Sequence, residues 1–174
     1  MIARLARDIR AVSATEFAIV LPFLVILYLG GYQLSDAISA YRKVSTATRT
    51  VADLTSQFSS VSDSDLDTVL AASQQVMTPY KVANAQLTVS QIVVSDKGVV
   101  TVDWSRGLNT TALKAGDPYT LPASIKQNST SLIVATIRYN YVPLVAPELI
   151  GTIPMRDDII MSPRGGDSVK KKTA

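Results

Sequence analysis

The chain has 174 residues, enough for one domain plus an anchor, with 47% hydrophobic residues, 18% charged residues and a formal net charge of +3. It contains no cysteine and no histidine, which excludes disulfides, Cys/His zinc sites, Ser-His-Asp and Cys-His nucleophiles and a histidine pH switch. The positive charge sits in short clusters, Arg4, Arg7 and Arg10 at the start and Lys170, Lys171 and Lys172 at the end, so no basic face for nucleic acid is expected.

Residues 1–11 read as a basic leader. Beyond them, residues 17–32 (FAIVLPFLVILYLGGY) hold no charge and one helix breaker, Pro22. With their flanks they reach the roughly 20 residues a helix needs to cross a bilayer, so a membrane span is predicted at about residues 14–34. Pro22 removes one helical hydrogen bond and is a candidate kink, which membrane helices tolerate because neighbouring groups re-satisfy the freed carbonyl. Gly30 and Gly31 are a second soft spot, either ordinary span composition or a hinge. Three arginines against Asp8 before the span place the N-terminus in the cytoplasm and the remainder in the periplasm of the inner membrane. A secretory signal peptide cut near Ala37, Ser39 and Ala40 is the competing account, although the apolar run is longer than a typical signal core.

Helical patterning continues past the span. Leu34, Ile38, Tyr41, Val44, Val51, Leu54 and Phe58 recur at three- and four-residue steps, with Arg42, Lys43, Arg49 and Asp53 between them, the signature of an amphipathic helix over residues 35–58. Span and amphipathic part together predict one helix over residues 12–58, on the order of 70 Å long. Its apolar stripe is expected to pack on the chain's own domain and in part on neighbouring subunits. Within the span, Glu16 admits two readings. A carboxylate at the bilayer centre costs roughly 2.5–3.5 kcal/mol, so intramembrane acids tend to be functional. Near a helix N-terminus, however, the macrodipole favours negative charge by about 0.3–1 kcal/mol, which allows a plain interfacial acid.

Residues 59–164 read as a small α+β domain. Ser62, Asp63, Ser64 and Asp65 open a helix with capping oxygens, and Leu66, Val69, Leu70 and Val76 give it an apolar face up to Thr78 and Pro79. Residues 87–94 and 99–104 form a hairpin through Ser95, Asp96, Lys97 and Gly98, and residues 132–142 and 153–161 supply two more strands of an antiparallel sheet. Between them, residues 106–127 should form a long loop across the sheet surface. Residues 165–174 read as a disordered basic tail.

Several chemical-looking features resolve as structure. Asp63, Asp65 and Asp67 imitate a calcium loop, but Thr68 stands at the turn-glycine position and Gln74 where the bidentate glutamate belongs, so a helix cap is expected. Asp157 and Asp158 are adjacent on a strand and point to opposite faces, which rules out an acid/base pair. Asn109 and Asn128 begin glycosylation-like triplets by chance, and Trp104, Tyr139 and Tyr141 are expected to pack in the sheet. No catalytic, cofactor or metal site is expected.

The segment Ala11, Val12, Ser13, Ala14, Thr15, Glu16, Phe17 and on to Pro22, followed by Tyr41 and Arg42, resembles the TadE-like proteins, pilin-like components of the tight-adherence (Tad/Flp) pilus. Tyr139, Tyr141 and Pro143 are similar to that family's Tyr-x-Tyr-x-Pro strand, and Pro163 and Arg164 to its terminal Pro-Arg strand. The resemblance implies cleavage by a prepilin peptidase between Ala11 and Val12, where the family usually has glycine before the cut. It implies that Glu16 and Phe17 serve peptidase recognition, and that Glu16 afterwards pairs with the freed α-amino group of Val12 to set subunit register. It also implies a minor pilin or pseudopilin role, structural and adhesion-related. The implied partners are other minor pilins, the major Flp-type pilin, the prepilin peptidase, the inner-membrane assembly platform and membrane lipid. A signal-anchored periplasmic binding or adhesion domain outside any pilus is the alternative.

Overall fold

The computed structural model describes residues 9–172. Arg4 and Arg7 of the expected leader therefore lie outside the described residues, as do the last two residues of the tail.

One helix, α1 (Ile9–Ser56), carries both halves foreseen in the sequence, 48 residues with Pro22 inside it. Residues 12–32 are exposed throughout, and the apolar window of this helix has none of its residues buried against the rest of the chain. The second half is core. The buried line runs through Gln33, Ala40, Val44, Ala47, Thr48, Val51, Ala52, Thr55 and Ser56, at helical spacing.

This line differs from the expected stripe. Val44 and Val51 are buried, but Leu34, Ile38 and Tyr41 are exposed. The sheet approaches the side of α1 that carries small residues, where the two backbones can come close, and leaves the bulky neighbours on the flank.

The domain follows the expected α+β plan. The helix α2 (Asp63–Val76) opens on a capping box, with the Asp65 N–H donating to Ser62 Oγ at 3.2 Å and the Ser62 N–H to Asp65 Oδ2 at 2.9 Å. It buries Leu66, Val69 and Leu70. The sheet holds β2 (Ala85–Val94), β3 (Val100–Leu108), β4 (Thr130–Tyr141) and β5 (Ile153–Met161) in the order β3-β2-β4-β5. All its pairings are antiparallel.

Each face of the sheet has its own core. Leu87, Val89, Trp104, Ile133, Ile137 and Tyr141 pack with α1 and α2. Ile92, Val94, Val100, Val102, Leu132 and Val134 pack under Leu121 on the other face. The long loop after β3 crosses this second face as expected, tied by the Tyr119 N–H to the Val100 carbonyl at 3.0 Å. A bulge divides β3 between the cores. Gln91 pairs with Trp104 and Ile92 with Val102, so Asp103 is the extra residue. Trp104 therefore turns to the helical side while Val100 and Val102 face away.

The expected disordered tail is a correction. Strand β6 (Lys170–Lys171) pairs in parallel with β1 (Ser60–Val61). Val169 is fully buried; its N–H donates to Gln91 Oε1 at 2.7 Å, and its carbonyl accepts from Trp104 Nε1 at 2.8 Å. Composition suggested disorder, but Gln91 and Trp104 present one acceptor and one donor that a passing backbone satisfies. Lys171 Nζ also meets Asp63 at 2.9 Å.

Candidate functional site: a bare helix and its clamp on the domain

The residues singled out in the sequence lie on the free half of α1. Ala11 is within the helix, its side chain outside what is described. Val12, Glu16 and Phe17 are exposed. Val12 and Glu16 are four residues apart on a helix and share one face. A carboxylate at position 16 thus lies within reach of the terminus that cleavage before Val12 would create. The Thr15 hydroxyl donates to the Val12 carbonyl at 2.7 Å. Pro22 lies six residues beyond Glu16, also exposed.

Where the free half ends, a polar cluster fastens α1 to the domain. Gln33 Nε2 donates to the Tyr141 hydroxyl at 2.6 Å, and that hydroxyl donates to Asp36 Oδ2 at 2.5 Å. Tyr80 donates to Asp36 Oδ1 at 3.0 Å, and its ring meets Tyr141 edge to face with centroids 6.3 Å apart. On the other side of the same glutamine, Oε1 accepts the Val145 N–H at 3.0 Å. Every polar atom of the Gln33 side chain thus has a domain partner, which keeps a buried amide affordable in free-energy terms. Burial, reinforced by the hydrogen bond and charge of Asp36, pushes the Tyr80 hydroxyl up to about 12. The same causes push Tyr141 up as well.

Further along, Ser45 donates to Asp157 at 3.1 Å and Arg164 pairs with Asp53 at 3.0 Å. Asp157 therefore faces α1, while Asp158 faces away and accepts from Thr136 at 2.6 Å. The opposite-face expectation holds.

Sequence reasoning missed the clamp. Gln33 is the first polar side chain after the apolar run and Asp36 the first charged one, three residues apart on one face. That signal marks a polar contact at the end of the span without revealing its partners.

The geometry defines an α+β domain whose core helix runs on, among the described residues, into one candidate membrane span. Residues 11–53, covering most of α1, match the family model described as TadE-like protein. The match agrees with the resemblance carried by the motif from Ala11 to Pro22 and marks the chain as related to the Tad pilus machinery. Comparisons with curated proteins and with solved structures gave no match.

Proposed function

We propose that the chain is a minor pilin or pseudopilin subunit for Tad-type pilus assembly, with a structural role and no catalysis of its own. It is held in the inner membrane by α1, with the N-terminus in the cytoplasm and the domain in the periplasm. The prepilin peptidase cuts between Ala11 and Val12, and Glu16 then pairs with the new terminus within the subunit or across to its neighbour. Its partners are other minor pilins, the Flp-type pilin and the assembly platform.

The observation that carries this reading is that one helix supplies both the bare apolar half and a wall of the domain core. A pilin-like subunit needs that continuity, because lateral packing of the apolar half must fix the position of the domain. The continuity also bears on the signal-peptide alternative. Removal of the chain up to Ala40 would take Gln33, Asp36 and Ala40 out of the clamp and the core.

The test is the intact mass and N-terminal sequence of the membrane-purified protein from cells with and without their prepilin peptidase. A peptidase-dependent start at Val12 is expected. A retained Met1 in both strains leaves a plain signal anchor, and a start near Tyr41 defeats the pilin reading.

A further inference from the structure

Four apolar side chains are left uncovered at one end of the domain. Between β4 and β5, Val142 and Ile150 are about half exposed, Leu144 is 70% exposed and Leu149 is 87% exposed. They belong to one loop, residues 142–152, which contains the single-turn helix α3 (Pro147–Ile150). Its turn is set by left-handed backbone at Ala146, φ 47°, and at Gly151, φ 77°. Side chains of this kind are normally turned inward unless something covers them.

The position of the loop along α1 says what covers it. The Val145 N–H rests on Gln33 Oε1 at 3.0 Å, and Gln33 is the first buried residue after the exposed apolar run. Counting from Val12 at about 1.5 Å per residue, Gln33 lies roughly 30 Å along the helix, one hydrocarbon thickness. The loop is therefore held at the level where the span leaves the bilayer.

We infer that residues 142–152 form a lipid-contacting foot, with Leu144, Leu149 and Ile150 inserted at the headgroup boundary of the leaflet from which α1 emerges. This rests on the reading of α1 as a membrane span. Apolar side chains on a short amphipathic turn seat at that boundary. The polar neighbours fit the same depth. Lys81 shares a cleft with Leu144 and offers a cation to lipid phosphate. Glu148, exposed on the same turn, holds that turn at headgroup level rather than in the acyl core. With α1 as one attachment and the foot as a second, the domain is fixed in tilt and rotation on the membrane surface.

The chain has no cysteine, so single-cysteine variants of the full-length protein test this directly. L149C, V99C at the opposite end of the sheet, and I26C within the span are each labelled with an environment-sensitive dye. The proteins are placed at high dilution in phosphatidylethanolamine/phosphatidylglycerol vesicles. The L149C probe should be quenched by a headgroup-level nitroxide lipid severalfold more than the V99C probe, and shielded from aqueous iodide. I26C should respond to a deep nitroxide. If L149C is as open to iodide as V99C while I26C lies in lipid, the foot is wrong although the span stands. Shielding of L149C that appears only at high protein density, without lipid quenching, assigns the surface to a second copy and likewise overturns the inference. I26C in water removes the span and the foot together.

Discussion

The Gln33 side chain donates to the Tyr141 hydroxyl at 2.6 Å across 108 residues of chain. This contact, relayed to Asp36 at 2.5 Å, joins the end of the apolar helix to the last residue of the central strand β4. Together with the core packing of Ala40, Val44 and Ala47, it opposes rotation of α1 about its axis, which would break it.

Removing one atom should loosen that junction. Tyr141→Phe leaves the buried Gln33 Nε2 without its partner and takes one of two tyrosine donors from the half-buried Asp36, and stranding a buried polar group costs about 1–3 kcal/mol. Thermal unfolding of the full-length protein in detergent should drop by roughly 5–10 °C for a domain of this size.

High pH should weaken the same junction. Tyr80, pushed up to about 12, and Tyr141, also raised, are neutral in the folded state at pH values where they ionise in the unfolded chain. Their contribution is complete below the unfolded value near 10 and is lost as pH rises through the folded values. Melting temperature should therefore decline between about pH 10 and 12, and Tyr80→Phe with Tyr141→Phe should flatten that limb.

At the acid end, Asp65 is held below its ordinary 3.8 by the Ser62 backbone N–H and then the Ser62 hydroxyl. Asp67 is held below it by the Arg106 guanidinium, which forks onto it at 2.7 Å. Depressed carboxyls contribute stability above their unfolded value and lose it as pH falls through the folded one. The melting temperature should thus decline below about pH 4, less steeply in Asp65→Asn. Ser62→Ala should lower stability by about 0.5–2 kcal/mol at neutral pH by removing the cap.

The C-terminal segment should be part of the fold. Truncation after Pro163 exposes the chain's single tryptophan and removes the protein partners of Trp104 Nε1 and Gln91 Oε1. Red-shifted Trp104 emission is expected, with a loss of about 0.5–1.5 kcal/mol for each hydrogen bond replaced by water and a further loss from the burial of Val169; unchanged emission would mean the segment does not dock. Gly165→Ala tests the same docking more gently. A Cβ there would stand 2.8 Å from the Phe58 carbonyl carbon and 2.9 Å from its oxygen, backbone atoms that cannot step aside. A cost of about 1–3 kcal/mol is expected.

Glu16→Ala should abolish incorporation into the pilus while leaving the melting of the full-length protein in detergent unchanged, because residue 16 is exposed and belongs to neither core. Ala11→Gly should preserve release of the leader and Ala11→Phe should block it, as read by N-terminal sequencing. Assembly that survives Glu16→Ala would remove the register role.

Local order made much of the architecture legible. Ser62 and Asp65 announced α2 through capping chemistry, Ser95 to Gly98 announced the hairpin, and the alternation in β4 gave Tyr139 and Tyr141 as packing in the core or on the sheet surface, of which the structure makes core. Adjacent Asp157 and Asp158 were assigned to opposite faces because a strand has a period of two. The candidate processing and register residues, Ala11, Val12, Glu16 and Phe17, fall within seven consecutive positions, so the resemblance points to them without reference to the fold.

What the sequence by itself determined, then, is a bare apolar helix continuous with an α+β domain, because span length, helical period, capping and strand alternation are all properties of neighbouring residues. Only the tertiary structure decided which side of α1 is buried, since its second half is apolar on more than one side and the sheet chose Ala40, Ala47 and Ala52 over Leu34, Ile38 and Tyr41. Only it turned Trp104 away from Val102, through one extra residue in β3. The clamp and the docked tail were likewise decided there. Gln33 meets Tyr141, and Val169 meets Gln91 and Trp104, across separations that leave no period or spacing in the chain, and the polar groups are satisfied only where folding brings their partners together.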